Sequence, residues 1–299
     1  MPKESTEKMY EAQISSYFKR SKFSPDDDFL KKYKEVIGEI EDFYPNLNTR
    51  KNMLNAIIIY GRTIDYPEKW LAYYGIEIDK INQQLKAAIS TNEKTDKQKE
   101  NWITMDELKK VIESLKNEIP AQISNYSQYR SLMRYLAIYL QTHFPRRNDY
   151  TTIKLVESTP KDQTHNYMVV PNRNRGGASS PVFIFNNYKT ASKFGAQTFP
   201  IPDDIYHELR FYKPHILGHS PDGFVFIRKD GQPLNSNEFT KFFIATLQEK
   251  TGKKIGTSLI RHVIISEKFK PDPNELKERQ QLAAAMGHSV TQQMQYAKS

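Results

Sequence analysis

A run of twelve residues without a single apolar side chain divides this sequence. Residues 90–101 read STNEKTDKQKEN, and a stretch of that composition adds nothing to a hydrophobic core. Apolar residues recur at helical spacing on both sides of it, so the chain has to bury two cores. A length of 299 residues suits that division, because one domain commonly takes roughly 100–200 residues.

Ahead of the polar run the pattern is helical. Residues 1–27 are polar and hold a basic cluster, Lys19, Arg20 and Lys22, beside Tyr17, Phe18 and Phe23; they are read as a basic arm or a short helix. From 28 to 90 a helical domain is expected. Phe29, Tyr33, Val36, Ile37 and Ile40 recur at helical spacing, and a turn follows at Pro45 and Asn46. Asn48 or Thr49 is then placed to cap a helix carrying Met53, Leu54, Ile57, Ile58 and Tyr60. Further helical segments are expected over 66–74 and 78–89.

Past the run, which is read as a linker over 91–101, a second domain opens at Trp102 and occupies 102–299. Thr104 and Glu107 have the spacing of a capping box, and Ile103 with Leu108 that of a hydrophobic staple. A second helix over about 124–141 would bury Leu132, Leu136 and Leu140. The period then drops towards two. Segments 167–170, 182–185 and 197–201 are short and β-rich, with a glycine-bearing loop at 172–180. They predict a three-stranded antiparallel insert. After Tyr206 the pattern is helical again, apart from an extended stretch at 224–227. The expected fold class is therefore mainly α with a small antiparallel sheet (α+β).

Charge and composition narrow the function. Lys and Arg number 44 against 35 Asp and Glu, a net charge of +9, which suits a polyanionic partner such as DNA, RNA or an anionic membrane. The absence of cysteine excludes disulfides, thiol nucleophiles and thiolate-bound zinc. Histidines and carboxylates do not cluster at ligand spacing, so no metal or other cofactor is expected. Residues 1–8 are polar and no apolar run approaches the ~18 residues of a membrane span. The expectation is a protein that is neither secreted nor membrane-embedded, working in the cytoplasm or nucleus of a cell.

Four places in the second domain carry candidate chemistry. Arg146 and Arg147 follow Pro145 at the end of an apolar helix, with Asp149 three residues beyond Arg146. Lys189 stands in Asn187-Tyr188-Lys189-Thr190 between two predicted strands. Ser258-Leu259-Ile260-Arg261-His262 opens a helix after Gly256, and Gly287-His288-Ser289 is followed by Tyr296. Taken singly, each has a plain structural reading: a surface Arg–Asp pair, which is worth little, a solvated hairpin lysine, or polar groups on a helix.

Taken in order, these motifs resemble the tyrosine recombinases, the family of the phage integrases. The wording around them is most similar to recombinases of large DNA viruses, virophages and related mobile elements. The family pairs a helical core-binding domain with a helical catalytic domain bearing a small sheet, so the resemblance spans the chain in outline, with its motifs confined to 145–296. It implies that Arg146 and Arg261 are the two catalytic arginines, with Asp149 selecting Arg146 over its neighbour Arg147. It further implies that Lys189 is the hairpin lysine, with Lys193 the competing choice, that His288 is the histidine of the Gly-His pair, and that Tyr296 is the nucleophile. Ser258 departs from the pattern, since the family commonly has histidine there; serine is left to hydrogen-bond the phosphate. The interval from His288 to Tyr296 is one residue shorter than in many bacterial members. The sequence also ends three residues after Tyr296, where many members continue into a helix that docks on a neighbouring subunit. Either a different assembly or a shortened C-terminus is expected.

The chemistry implied is site-specific recombination of double-stranded DNA through a 3′-phosphotyrosyl intermediate, without metal or ATP. It implies a homo-tetramer on DNA, with a monomer or dimer free in solution. A type IB topoisomerase, a telomere resolvase and a catalytically weakened DNA-binding protein of the same fold are the alternatives. The remaining basic candidates, Arg147, Lys193, Lys19, Arg20, Lys22, Arg50 and Lys51, are expected to meet DNA phosphates.

Overall fold

The computed structural model describes residues 4–25, 28–90, 93–172, 180–268 and 276–287. The chain clusters into two compact units, Met1–Thr91 and Asn92–Ser299, each built on its own buried core. The fold is mainly helical with one small sheet, the α+β class that the patterning predicts.

The first unit is helical: α1 (Glu4–Phe18), α2 (Tyr33–Phe43), α3 (Leu47–Thr63) and α4 (Glu68–Ser90). Helix α1 is no detached arm. It packs on α3, its Tyr17 is buried, and the Tyr17 hydroxyl donates to Glu39 Oε2 at 2.8 Å. The cap of α3 is Asn46 rather than Asn48 or Thr49. Its Oδ1 accepts from the backbone N–H groups of both those residues, at 3.0 and 3.2 Å, which satisfies two free donors of the first turn. The two segments expected over 66–74 and 78–89 form one helix, α4. It passes through Gly75, where no atom lies within 4 Å of a would-be Cβ, so that glycine costs the helix little beyond propensity.

The polar run is shorter as a linker than its composition suggests. Helix α4 extends to Ser90, and Thr95 caps a further helix, α5 (Asp96–Asn101), through a capping box with Gln98. A helix this short is marginal alone. Asn101 ties it to the rest of the second unit by accepting from Lys254 N at 2.6 Å.

In that unit α6 (Met105–Asn117) starts as predicted. Thr104 Oγ1 accepts from Glu107 N at 3.1 Å, Glu107 Oε2 accepts from Thr104 N at 2.8 Å, and Ile103 and Leu108 are buried beside them. Helix α7 (Tyr126–His143) is the axis of the core, packing on α6, on α9 (Asp203–His219), on α10 (Ser236–Thr251) and on α11 (Thr257–Lys268). Helix α12 (Leu276–Ala285) follows.

The sheet departs from expectation. It has four strands in the order β1 (Ile153–Val156), β2 (Asn166–Val169), β3 (Val182–Phe185) and β4 (Gln197–Pro200), with a short helix α8 (Ala191–Phe194) between the last two. The pairs β2–β3 and β3–β4 are antiparallel, but β1 runs parallel to β2, pairing Ile153 with Asn166 and Val156 with Val169. Strand β1 escapes notice in the sequence because four residues alternating about one lysine are too few for a period to register. The extended stretch at 224–227 makes only isolated bridges, from Phe224 to Lys154 and from Ile227 to Pro233.

Gly223 makes the approach of that stretch to β1 possible. Its φ is +82°, Leu155 N donates to its carbonyl at 2.7 Å, and a Cβ would stand 2.6 Å from Leu155 O. Both the dihedral and the contact exclude a side chain. Gly223→Ala is expected to destabilise the second unit by about 1–3 kcal/mol, read as a lowered urea midpoint. An unchanged midpoint would show that this edge bears no load.

Candidate active site

The site is assembled where α7 ends. Helix α7 stops at His143, and Pro145 cannot extend it. The chain then turns through a 3-10 segment, Asn148–Tyr150. The buried carboxamide of Gln141 splints this turn: its Oε1 accepts from Arg146 N at 3.1 Å, and its Nε2 donates to Arg147 O at 2.8 Å.

Arg146 is not the surface partner of Asp149. Its side chain is 0% exposed. Nε donates to Asp149 Oδ2 at 2.8 Å, and Nη1 donates to Gln197 Oε1 at 3.3 Å and to the carbonyl of Ala285. The guanidinium lies 4.0 Å from the Phe185 ring centroid, with Tyr188 at 5.1 Å and Phe199 at 5.9 Å, a cation–π box. Nη2 has no hydrogen-bond partner among the described residues. A buried donor left unmet costs about 1–3 kcal/mol.

Asp149 is the counter-charge. Burial pushes its carboxyl above the ordinary carboxylate value, and the charges of Arg146, Arg147 and Arg261, with the Arg146 hydrogen bond, pull it back. Both candidate catalytic arginines therefore act on one carboxylate. Arg261 is 5% exposed on α11. Ser258, exposed on the first turn, lies three residues before it on the same helical face. Asn148 ties α11 to the turn, donating to Ser236 Oγ at 3.1 Å and Thr240 Oγ1 at 2.8 Å and accepting from Thr257 Oγ1 at 3.1 Å.

Lys189 is exposed between β3 and β4, and both its neighbours point into the site. Tyr188 packs its ring on Arg146 and donates its hydroxyl to Gly195 O at 2.8 Å; Thr190 Oγ1 donates to Gly287 O at 3.1 Å. Lys193 is exposed on α8, 5.3 Å from the Phe194 ring. Gly287 closes the arrangement. It has φ +70°, a Cβ there would lie 3.5 Å from Arg146 Nη2, and its carbonyl accepts from Arg147 Nη1 at 3.2 Å. His288 and Tyr296 lie outside the described residues.

Two tyrosines stand near Arg146, and neither is primed as a nucleophile. Burial raises the phenols of Tyr150 and Tyr188 above their ordinary value, with Arg146 offsetting only part of it. Among the described residues no group of three or more His, Asp or Glu is placed to hold a metal ion, and no helix is long and apolar enough to cross a membrane.

The basic candidates of the first unit are largely engaged within it. Lys22 pairs with Glu35 at 2.6 Å, Arg50 with Glu41 at 2.9 Å, and Lys51 donates to Asn82 at 2.6 Å. Arg20 lies over the Phe43 ring at 4.5 Å, and Lys19 is exposed beside the groove between α1 and α3.

Sequence patterning passes over Gln141, Asn148, Asn166 and Gln197, the amides that build the site. Their one signal is position: Gln141 is a polar residue in an otherwise apolar turn of α7, and Asn166 and Gln197 each open a strand.

No protein-family model matches the chain, and no curated protein matches it. Among solved structures it is similar to the crystal structure of XerA recombinase, with TM-score 0.44 and 13% identity over 99% of this chain and 88% of that one. It is also similar to XerH site-specific recombinase bound to difH substrate in a pre-cleavage complex, with TM-score 0.42 and 13% identity over 100% of this chain and 94% of that one.

Asp149→Asn preserves shape but leaves the Arg146 guanidinium buried without its counter-charge. Removing one member of a buried pair costs about 3–5 kcal/mol. Equilibrium unfolding should show a loss of that order, whereas a loss below about 1 kcal/mol would mean that the other hydrogen bonds of Arg146 suffice.

Proposed function

We propose that this chain is a site-specific DNA recombinase of the tyrosine type, cleaving and rejoining double-stranded DNA without metal, ATP or cofactor. The observation that carries the reading is convergence. Arg146, the two neighbours of Lys189 and the glycine preceding His288 come from segments far apart in the chain, and they meet around one buried guanidinium. Unconnected surface pairs and a solvated hairpin have no reason to meet there.

In this reading the phenolic oxygen of Tyr296 attacks the phosphorus of a phosphodiester. The Tyr–O–P bond forms as the bond to the 5′ oxygen breaks; the phenolic proton is lost to water, and the departing oxygen takes a proton from Lys189, each transfer reversing when the strand is rejoined. Negative charge grows on the non-bridging oxygens in the transition state. Guanidiniums remain charged at any accessible pH and fork onto such oxygens, which is the role assigned to Arg146 and Arg261. Ser258 hydrogen-bonds the phosphate, and His288 donates to it or orients Tyr296. The 5′ hydroxyl of a second duplex then attacks the phosphotyrosyl bond and restores the enzyme. Arg147, Lys193 and the basic residues of the first unit neutralise flanking phosphates, four subunits assemble on paired sites, and the resemblance in motif wording points to a mobile element as the source.

A duplex carrying a site drawn from a selected library, nicked so that a short fragment is lost on cleavage, tests this. With EDTA present, the wild-type protein should form a protein–DNA adduct that survives denaturation, and Tyr296→Phe should form none. Binding should weaken steeply with salt. Tight, salt-sensitive binding with no adduct would reduce the protein to a DNA-binding role.

A further inference from the structure

Asn166 has no part in the reaction just described, yet it is 2% exposed and every polar atom of its side chain is engaged. Nδ2 donates to the carbonyl of Asp149 at 2.7 Å and to the carbonyl of Asn187 at 2.8 Å; Oδ1 accepts from Asn187 N at 2.8 Å. These contacts join two segments by hydrogen bonds, beside the packing of Tyr188 on Arg146. One is the turn bearing Arg146 and Asp149. The other is the loop after β3, in which Lys189 stands two residues beyond Asn187. Asn186 adds a weaker brace, donating to His165 O at 2.9 Å.

We propose that Asn166 is the positioning residue for Lys189, an assignment that rests on the strand-transfer reading above. A carboxamide has two N–H donors and an acceptor oxygen on one rigid plane. Here one donor goes to each segment, and the oxygen completes a strand-like pair with Asn187. Aspartate supplies no donor when ionised, serine supplies one, and glutamine is a methylene too long for a buried site. The need is chemical. A lysine ammonium is a point charge on a flexible stem, and it protonates a departing oxygen only from hydrogen-bond distance. Lys189 is exposed, so its reach is set by where its backbone is held. Asn166 holds that backbone to the same turn that holds the phosphate-binding guanidinium.

The test compares two leaving groups. A 5′-bridging sulfur departs as a thiolate and needs no proton, so a defect in proton delivery disappears on that substrate, whereas a defect in phosphate stabilisation does not. Asn166→Asp removes the two donors. Asn187→Pro removes the N–H on the exposed side of the clamp and leaves the buried position intact. Both variants, in a Tyr296→Phe background, should bind the uncut duplex within about twofold of the parent. With Tyr296 present, each should cleave the 5′-oxygen substrate about 100-fold more slowly and the 5′-sulfur substrate at close to the parental rate, as Lys189→Ala should. Gln141→Leu, which loosens Arg146 instead, should be slow on both. Equal slowing of Asn166→Asp on the two substrates, weakened binding by both clamp variants, or unimpaired cleavage of the oxygen substrate would each overturn the assignment. If the parent forms no adduct on either substrate, the strand-transfer reading fails and takes this assignment with it; if only Lys189→Ala resists rescue, the proton donor has been misidentified and Asn166 cannot act through it.

Discussion

A guanidinium cannot give up its charge, so a chain that buries one completely has to organise itself around it. Arg146 imposes that constraint on the second unit. Its counter-ion comes from the turn that it begins, a side-chain acceptor from β4, a carbonyl from the last turn of α12, and aromatic faces from β3, from the loop beyond it and from β4. No local segment supplies so many partners of different kinds. The environment of that charge is therefore built by the helical core, the sheet and α12 together.

The amides complement this. A charged scaffold beside a buried guanidinium would shift the local balance, whereas a carboxamide binds backbone without adding charge. Gln141 fixes the peptides on either side of the Arg146–Arg147 bond, Asn148 reaches α10 and α11, and Asn166 reaches the Lys189 loop. Gln141 and Asn166 satisfy backbone groups in the buried turn, and Asn148 and Asn166 each link the Arg146 turn to another segment that carries candidate chemistry. The geometry of the site thus resides in neutral side chains, and its electrostatics in the arginines and Asp149.

That division explains what could be read beforehand. Local signals were legible: the capping box at Thr104 and Glu107 depends on residues three apart, and Leu132, Leu136 and Leu140 mark the buried face of α7 by period alone. The Arg146–Asp149 pair was legible as a spacing, but its burial was not, because burial depends on Phe185, Phe199, Gln197 and Ala285, which lie far along the chain. Strand β1 was invisible for a related reason: its partner β2 pairs in parallel across an intervening loop, and its other neighbour, Phe224, is about seventy residues away. Asn46 displaced the expected caps of α3 because an asparagine just before a helix reaches two N–H groups, whereas Asn48 and Thr49 are already inside its first turn. The amides of the site were missed because asparagine and glutamine are common at surfaces, and nothing local distinguishes the few that face inward.

Charge balance carries the last step. The charges of three guanidiniums, those of Arg146, Arg147 and Arg261, all act on the carboxylate of Asp149. The carboxyl end of α12 adds to this, its carbonyls at Ala285 and Gly287 accepting from Arg146 and Arg147; a helix end of this polarity carries roughly half a negative charge. A backbone dipole is a weaker partner for a guanidinium than an anion is. Buried contacts thus hold the Arg146 charge in a fixed place rather than on a mobile side chain. Groups that are already oriented lose little by reorganising when negative charge develops beside them. In the proposed reaction that is the physical condition for favouring a transition state on phosphorus over its ground state, and it would follow from holding Arg146 buried in these contacts.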